Sequence, residues 1–213
     1  MRFLTAISII IIGFFVSPIT HAAQVTNIES APERVRPLLP GLDAPQLTLR
    51  NKDNKSVNLN SLYADNKATV IVVYRGGWCP YCSRQLAGIQ KIEAQIAGYG
   101  AKIIAVSPDS PAALAKSKID SPNYQLLSDS KLALAQALGV AYFLDEKTAK
   151  AYRDRMGVNF VDLDGQSKVA LPVPAVFVVD KKGLVQFQYT NPNYKVRLDE
   201  SVLLAAVKAA SIL

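Results

Sequence analysis

Residues 70–82 constrain this chain more than any other stretch. The apolar, mostly β-branched run Val70-Ile71-Val72-Val73-Tyr74 has the pattern of a central strand buried on both faces. Arg75 and the pair Gly76-Gly77 then turn the chain, and Trp78-Cys79-Pro80-Tyr81-Cys82 opens a helix. Proline is favoured at the first helical position because its missing N–H would be unpaired there anyway. That places Cys79 at the N-cap, Pro80 at N1, Tyr81 at N2 and Cys82 at N3. A thiolate at the N-cap is expected to collect bonds from the N2 and N3 amides and to feel the positive end of the helix dipole. Cys82, half a turn further in, is expected to be shielded and to donate its S–H to Cys79. The expectation is a redox pair with Cys79 exposed as attacking thiol and Cys82 as resolving thiol, with Arg75 adding positive potential. A purely structural bridge would close too short a loop to stabilise much.

These are the only two cysteines among 213 residues, and half of the residues are hydrophobic, enough for a real core without staples. The N-terminus has the pattern of an export signal. Arg2 supplies a positive start, residues 3–16 an apolar segment, Pro18 a break, and Thr20-His21-Ala22 small residues before a cleavage point. The alternative is an uncleaved anchor, for which the apolar stretch falls just short of the roughly 20 residues that span a bilayer. The expected organisation is therefore a signal peptide over 1–22, a poorly structured lead-in over 23–40 with three prolines, and one domain over 41–213. The expected location is the periplasm or the medium, with no stable membrane insertion after cleavage.

Loss of Arg2 takes the formal charge from +7 to +6. The basic residues are scattered, so no nucleic-acid partner is expected. The single histidine, His21, lies in the signal. The mature chain then has no imidazole for hydrolase triads, histidine-bound metals or haem, and one Cys-x-x-Cys is half of a structural zinc site. No metal and no organic cofactor are expected.

Residues 46–49 and 57–59 alternate like strands around the turn Asn51-Lys52-Asp53-Asn54-Lys55, a hairpin. The helix opened by the cysteines is expected to continue through Leu86, Ile89, Ile92 and Ile96 until Gly98 and Gly100, with an apolar stripe against a sheet. Residues 103–106 form the next buried strand, so strand, helix and strand make a right-handed parallel crossover. A short helix over 111–118, a strand over 124–127, and helices over 130–138 and 145–156 follow. Residues 176–179 and 184–189 flank Asp180-Lys181-Lys182-Gly183 as a second hairpin. Asp199 caps a last helix with Val202, Leu203, Ala206 and Val207 inward. Proline cannot pair within a central ladder, so Pro172-Val173-Pro174 marks a strand entrance. A cis peptide before Pro174 would present the Val173 backbone beside the cysteines as a docking edge for a partner chain.

With these pieces in place, the chain resembles the thioredoxin superfamily. More closely, it is similar to peroxiredoxin-like proteins of the alkyl hydroperoxide reductase / thiol-specific antioxidant group. The residues that carry the resemblance are Pro40-Gly41-Leu42-Asp43-Ala44-Pro45, Tyr74-Arg75-Gly76-Gly77-Trp78-Cys79-Pro80-Tyr81-Cys82, Val106-Ser107-Pro108-Asp109, Leu127-Ser128-Asp129, Val173-Pro174-Ala175-Val176-Phe177-Val178-Val179-Asp180 and Asn193-Tyr194-Lys195-Val196-Arg197. The resemblance implies an α/β, thioredoxin-like fold: a central mixed sheet with helices on both faces and an N-terminal hairpin. It also implies Cys79 and Cys82 as redox pair and Pro174 as the cis-proline, with Trp78, Pro80, Tyr81 and Arg75 shaping the site.

The peroxiredoxin pattern P-x-x-x-[TS]-x-x-C is met in neither register. With Cys82 as its cysteine, Cys79 and Arg75 stand in the hydroxyl and proline places; with Cys79, Gly76 and Val72 do. Thioredoxin's buried acid, six residues before the first cysteine, is Val73 here. These departures rank thiol–disulfide exchange first, with protein or small-molecule disulfides and thiols as partners. Thiol-dependent peroxide reduction by the same cysteines is the alternative, and a non-catalytic binding module is set aside because both cysteines are retained.

Overall fold

A computed structural model describes residues 27–117, 121, 123–156 and 168–213. The expected signal over 1–22 lies outside the described residues. Seven strands form one mixed sheet in the order β2-β1-β5-β4-β3-β8-β9. The hairpin β1 (Thr48–Asn51) and β2 (Ser56–Asn58) is antiparallel and joins the sheet through β5 (Tyr124–Ser128). The central strand β3 (Ala68–Val73) pairs in parallel with β4 (Ala101–Ser107), which pairs in parallel with β5. On its other side β3 runs antiparallel to β8 (Ala175–Asp180), which continues into β9 (Val185–Thr190). Every residue of β3 and β8 is buried, as unbroken apolar runs require.

Alternation along β3 divides the core between two faces. Ile71 and Val73 point into a cluster with Leu59 and Tyr63 of α1 (Leu59–Asp65) and Leu134 of α5 (Ala133–Ala137). Val70 and Val72 point into the other, with Leu86 and Ile89 of α2 (Pro80–Lys91), Ile96 of α3 (Glu93–Gly98), and Leu203 and Val207 of α7 (Glu200–Ala210). This is the α/β thioredoxin-like arrangement, a mixed sheet with helices on both faces. The short α4 (Pro111–Leu114) is capped by Ser110, whose hydroxyl accepts from the Ala113 amide at 3.2 Å.

Several expectations need correction. The long helix after the cysteines is two: Ile92, at φ −102° and ψ 6°, leaves α-geometry between α2 and α3, and that bend keeps Ile96 buried against the sheet. In α7 the buried positions are Leu203, Val207 and Ala210, while Val202 is 46% exposed, because a helix this short covers only one stripe. The lead-in is ordered from residue 27 onward. Glu29 exchanges backbone bonds with Ala141 and Phe143, and the Arg36 and Leu38 amides donate to Gly139 and Leu138. A second sheet, unforeseen in the sequence, pairs β6 (Ala141–Phe143) with β7 (Ala170–Pro172), and α6 (Glu146–Met156) follows β6.

The expectation of a cis bond and a free docking edge at Pro174 is not met. The described residues contain no cis peptide bond. Pro174 is buried between β7 and β8, and the Val173 amide is already engaged, donating to the Val140 carbonyl at 2.8 Å. A trans X–Pro bond is the lower-energy form by about 0.5–1 kcal/mol, and nothing in this register opposes it. The strand entrance is thus sewn to the end of β6 instead of offering a free edge to a partner.

Candidate active site

The site lies where β3 ends and α2 begins, on the face covered by α2, α3 and α7. Cys79 is the N-cap of α2, in extended geometry at φ −90° and ψ 112°, and Pro80 is the first helical residue. The Cys79 amide donates to the Gly76 carbonyl at 3.1 Å, and its carbonyl accepts from the Cys82 and Ser83 amides, both at 3.0 Å. Gly76 needs its left-handed backbone, φ +140°, and has no room for a Cβ, which would strike the Trp78 ring. Gly77 is tied down by a residue far away in sequence. Its amide donates to Asp109 Oδ2 at 2.8 Å, and the Ser107 hydroxyl donates to the same oxygen at 3.0 Å. The loop after β4 therefore fixes the turn that presents Cys79.

Both cysteines are free thiols and both are buried, Cys79 at 1% exposure and Cys82 at 0%. The expectation of one exposed and one shielded sulfur is therefore wrong for Cys79. The reason is Trp78 and Tyr81, which flank it in sequence and pack into the same apolar cluster. The Cys79 sulfur makes no full capping hydrogen bond to the helix amides, and the Cys82 amide is only a secondary influence on it. Its negative charge is favoured chiefly by the hydrogen bond it receives from the Cys82 thiol. Burial opposes this, while the Cys82 amide and the Arg75 and Arg197 cations assist, and the balance lowers the Cys79 pKa to about 6. Cys82 moves the opposite way, pushed up by donating to Cys79 and by burial. The two environments assign thiolate to Cys79 and retained proton to Cys82, as the helix position suggested, though through a different dominant cause.

Arg75 is buried at 2% exposure and sits among aromatic rings. Its guanidinium carbon lies 5.1 Å from the Trp78 ring centroid, 5.4 Å from that of Tyr152 and 4.3 Å from that of Tyr194. Its Nη2 donates to the Tyr152 hydroxyl at 2.9 Å. Burial works against its charge, but that bond and the surrounding tyrosines and Cys79 carry its pKa upward, so it stays a cation. Trp78 and Tyr152 meet edge to face at 5.4 Å, as do Tyr81 and Tyr194 at 5.7 Å.

Tyr152, Tyr194, Arg197 and Asp109 had no functional role readable from the sequence. Arg197 donates from Nη2 to Cys82 Sγ at 3.3 Å. It is 115 residues away along the chain, and no spacing or periodicity marks it. Tyr194, Arg197 and Asp109 fall within segments that carry the family resemblance, but Tyr152 does not. Of the expected site residues, Arg75, Trp78, Cys79, Pro80, Tyr81 and Cys82 come together here. Val173, adjoining Pro174, packs in a small cluster with Tyr142, Leu171, Trp78 and Tyr152, so that segment supports the wall behind Trp78. Among the described residues no group of three or more His, Cys, Asp or Glu side chains could hold a metal.

Comparison with known proteins identifies the family. The AhpC/TSA family pattern matches residues 40–188. The putative peroxiredoxin bcp of Haemophilus influenzae is 31% identical over 107 residues, 50% of this chain and 68% of that protein. The chloroplastic peroxiredoxin Q of Gentiana triflora is 30% identical over 147 residues, 69% of this chain but only 57% of its own length. Among solved structures, peroxidoxin BcpB from Mycobacterium tuberculosis superposes with a TM-score of 0.59 at 19% identity, covering 80% of this chain and 96% of that one. Xanthomonas campestris peroxiredoxin Q gives 0.58 at 21% identity, covering 81% and 99%. The family match over most of the chain carries the conclusion, and the structures add the shared fold: this chain belongs to the AhpC/TSA family of peroxiredoxin-like thiol enzymes.

Proposed function

We propose that the protein is a thiol-dependent peroxidase in which Cys79 attacks the peroxide and Cys82 resolves the product. The observation that carries this reading is the enclosure of the Cys79 sulfur, 1% exposed, with two arginines favouring its thiolate. A few-atom oxidant needs only a small opening to reach such a sulfur. A protein disulfide needs an open face and a strand edge to dock on, and the Val173 amide that would have served is bonded to Val140. The relatives carrying peroxiredoxin names point the same way. Peroxide reduction thus moves ahead of disulfide exchange, the reverse of the sequence-based ranking.

The chemistry balances as follows. The Cys79 thiolate attacks one peroxide oxygen, the O–O bond breaks, and the leaving alkoxide takes a proton as the alcohol. Cys79 becomes a sulfenic acid, oxidised by two electrons. The Cys82 thiol then attacks that sulfur and the hydroxyl leaves with a proton as water, giving the Cys79–Cys82 disulfide. An external dithiol returns the pair to the reduced form by exchange. Disulfide exchange is then the second half of the cycle. The work of the missing hydroxyl and proline of the P-x-x-x-[TS]-x-x-C pattern falls to Arg75, Arg197 and the Asp109-held turn. With dithiothreitol as reductant, the protein should consume hydrogen peroxide catalytically. Oxidation of Cys79 no faster than a free thiol at the same pH would overturn the reading.

Export is part of the proposal, supported by Arg2, the apolar segment 3–16 and the small residues Thr20-His21-Ala22. Mass spectrometry of the protein from the producing cell should find Ala23 as its first residue.

A further inference from the structure

Both sulfurs are enclosed, yet the disulfide they form must be reached again by a reductant. One segment beside them is held to the site largely by the reduced cysteines themselves. Residues 191–197 run irregularly from Thr190, the end of β9, to Leu198, which packs against the core ahead of α7. Among the described residues, the hydrogen bonds of this backbone stay within the segment. The Asn193 and Lys195 amides donate to the Asn191 and Asn193 side chains at 2.9 and 3.1 Å, and the Val196 amide donates to the Asn193 carbonyl at 2.9 Å. Two of its side chains reach the site. Tyr194 lies edge to face with Tyr81 at 5.7 Å, with the Arg75 guanidinium 4.3 Å from its centroid, and Arg197 donates to Cys82 Sγ at 3.3 Å.

Arg197 depends on the sulfurs. Its Nε and Nη1 are enclosed without an acceptor, and its charge favours the Cys79 thiolate. Arg75 is held differently, by the Tyr152 hydroxyl and three aromatic rings. Disulfide closure withdraws two electrons and one proton from a thiolate and a thiol, so the site loses one negative charge. A buried cation left without its counter-charge is costly, and Arg197 then gains by moving into water. Cys79 and Cys82 stand three residues apart at the start of α2, neighbours on one face, so the bridge closes without unwinding the helix.

We propose that residues 191–197 form a redox-operated strap, shut while Cys79 is a thiolate and open once the disulfide has formed. Opening takes Arg197 off Cys82 and Tyr194 off Tyr81, and the disulfide beneath becomes accessible to the reductant. Reduction restores the charge and draws Arg197 back. The strap goes beyond the peroxidase reading and needs only the dithiol–disulfide couple, whatever the oxidant.

The test uses the full mature protein reduced with dithiothreitol and the same protein oxidised to the disulfide with diamide, which makes it independent of peroxide turnover. Phenylglyoxal, which modifies accessible guanidinium groups, is applied to both forms, and its adducts are mapped by peptide mass spectrometry. Arg197 should be modified at least about tenfold faster in the disulfide form, the factor equivalent to one pKa unit of lost attraction. Arg75 should stay protected in both forms, and the exposed Arg34 should react alike in both. Cys79→Ser, which removes the charge and cannot form the bridge, should expose Arg197 without any oxidant. Amide hydrogen exchange should quicken over 193–198 in the disulfide form and stay unchanged in α2. Equal protection of Arg197 in the two forms, or a Cys79→Ser protein as closed as the reduced one, overturns the strap. Faster exchange throughout α2 overturns it too, because helix unwinding would then be the opening. Failure to turn over hydrogen peroxide with a working strap overturns the peroxidase reading alone.

Discussion

Replacing Cys79 with serine should lower peroxide turnover by at least about a thousandfold, because the attacking thiolate has no substitute among the remaining side chains. Cys82→Ser should behave differently. Its Cys79 should still be oxidised by one equivalent of peroxide but should stop at sulfenic acid, since no thiol is left to condense with it. Intact-mass spectrometry after a single addition of peroxide, with a sulfenic-acid trap present, distinguishes the two. In the same variant an added thiol should be captured as a mixed disulfide on Cys79, and Cys79→Ser should capture none through Cys82. The Cys82→Ser thiolate should also be less reactive than in the native pair, because Cys79 loses its sulfur-borne hydrogen bond, the largest influence lowering its pKa. Equal trapping through either sulfur would reverse the assignment of roles. The same variants separate the two halves of the cycle, since Cys82→Ser retains peroxide cleavage at a reduced rate and loses disulfide closure.

Much of this arrangement was legible in the chain because its signals are local. A β-branched run, a glycine pair and Cys-Pro-Tyr-Cys specify strand, turn and helix start within 13 residues, and β3, Gly76 and α2 form there. What could not be read was everything brought in from afar. Asp109 holds Gly77 from the end of β4, Tyr152 reaches Arg75 from α6, and Arg197 reaches Cys82 from the segment before α7. None of these contacts leaves a periodicity or spacing behind. Cys79 was expected to be exposed because the N-cap lies at a helix end. Helix ends are solvated only when nothing packs over them, and here Trp78 and Tyr81 do. Pro174 fails for a related reason. Its role depended on a free strand edge, whereas the lead-in and the β6–β7 sheet occupy the backbone positions nearby.

The reactivity of the reduced protein should follow the same electrostatics across pH. With the Cys79 pKa lowered to about 6, its alkylation and peroxide rates should be nearly flat above pH 7 and fall about tenfold per unit well below 6. An ordinary thiol, near 8.5, would still be climbing at pH 8. Arg75→Met should move the midpoint upward, since a cation favouring the thiolate is lost. Stability should carry the same signature. A thiol whose folded pKa lies below its unfolded value contributes stability above the unfolded pKa, and this is lost as pH falls through about 6. Cys82 has the opposite displacement, so its contribution is present below about 8.5 and is lost as pH rises further. Asp129 adds a third component. Burial raises its carboxyl to about 6, against the pull of the Ala135, Leu134 and Ala133 amides, so its contribution is complete below about 4 and lost as pH rises through 6. Oxidation removes both thiols from titration but leaves Asp129. The stability of the reduced form minus that of the disulfide form should therefore rise from pH 6 to about 8.5 and decline above it. Urea unfolding midpoints of both forms across that range measure this difference, and a flat difference would show that the two sulfurs do not titrate as an opposed pair.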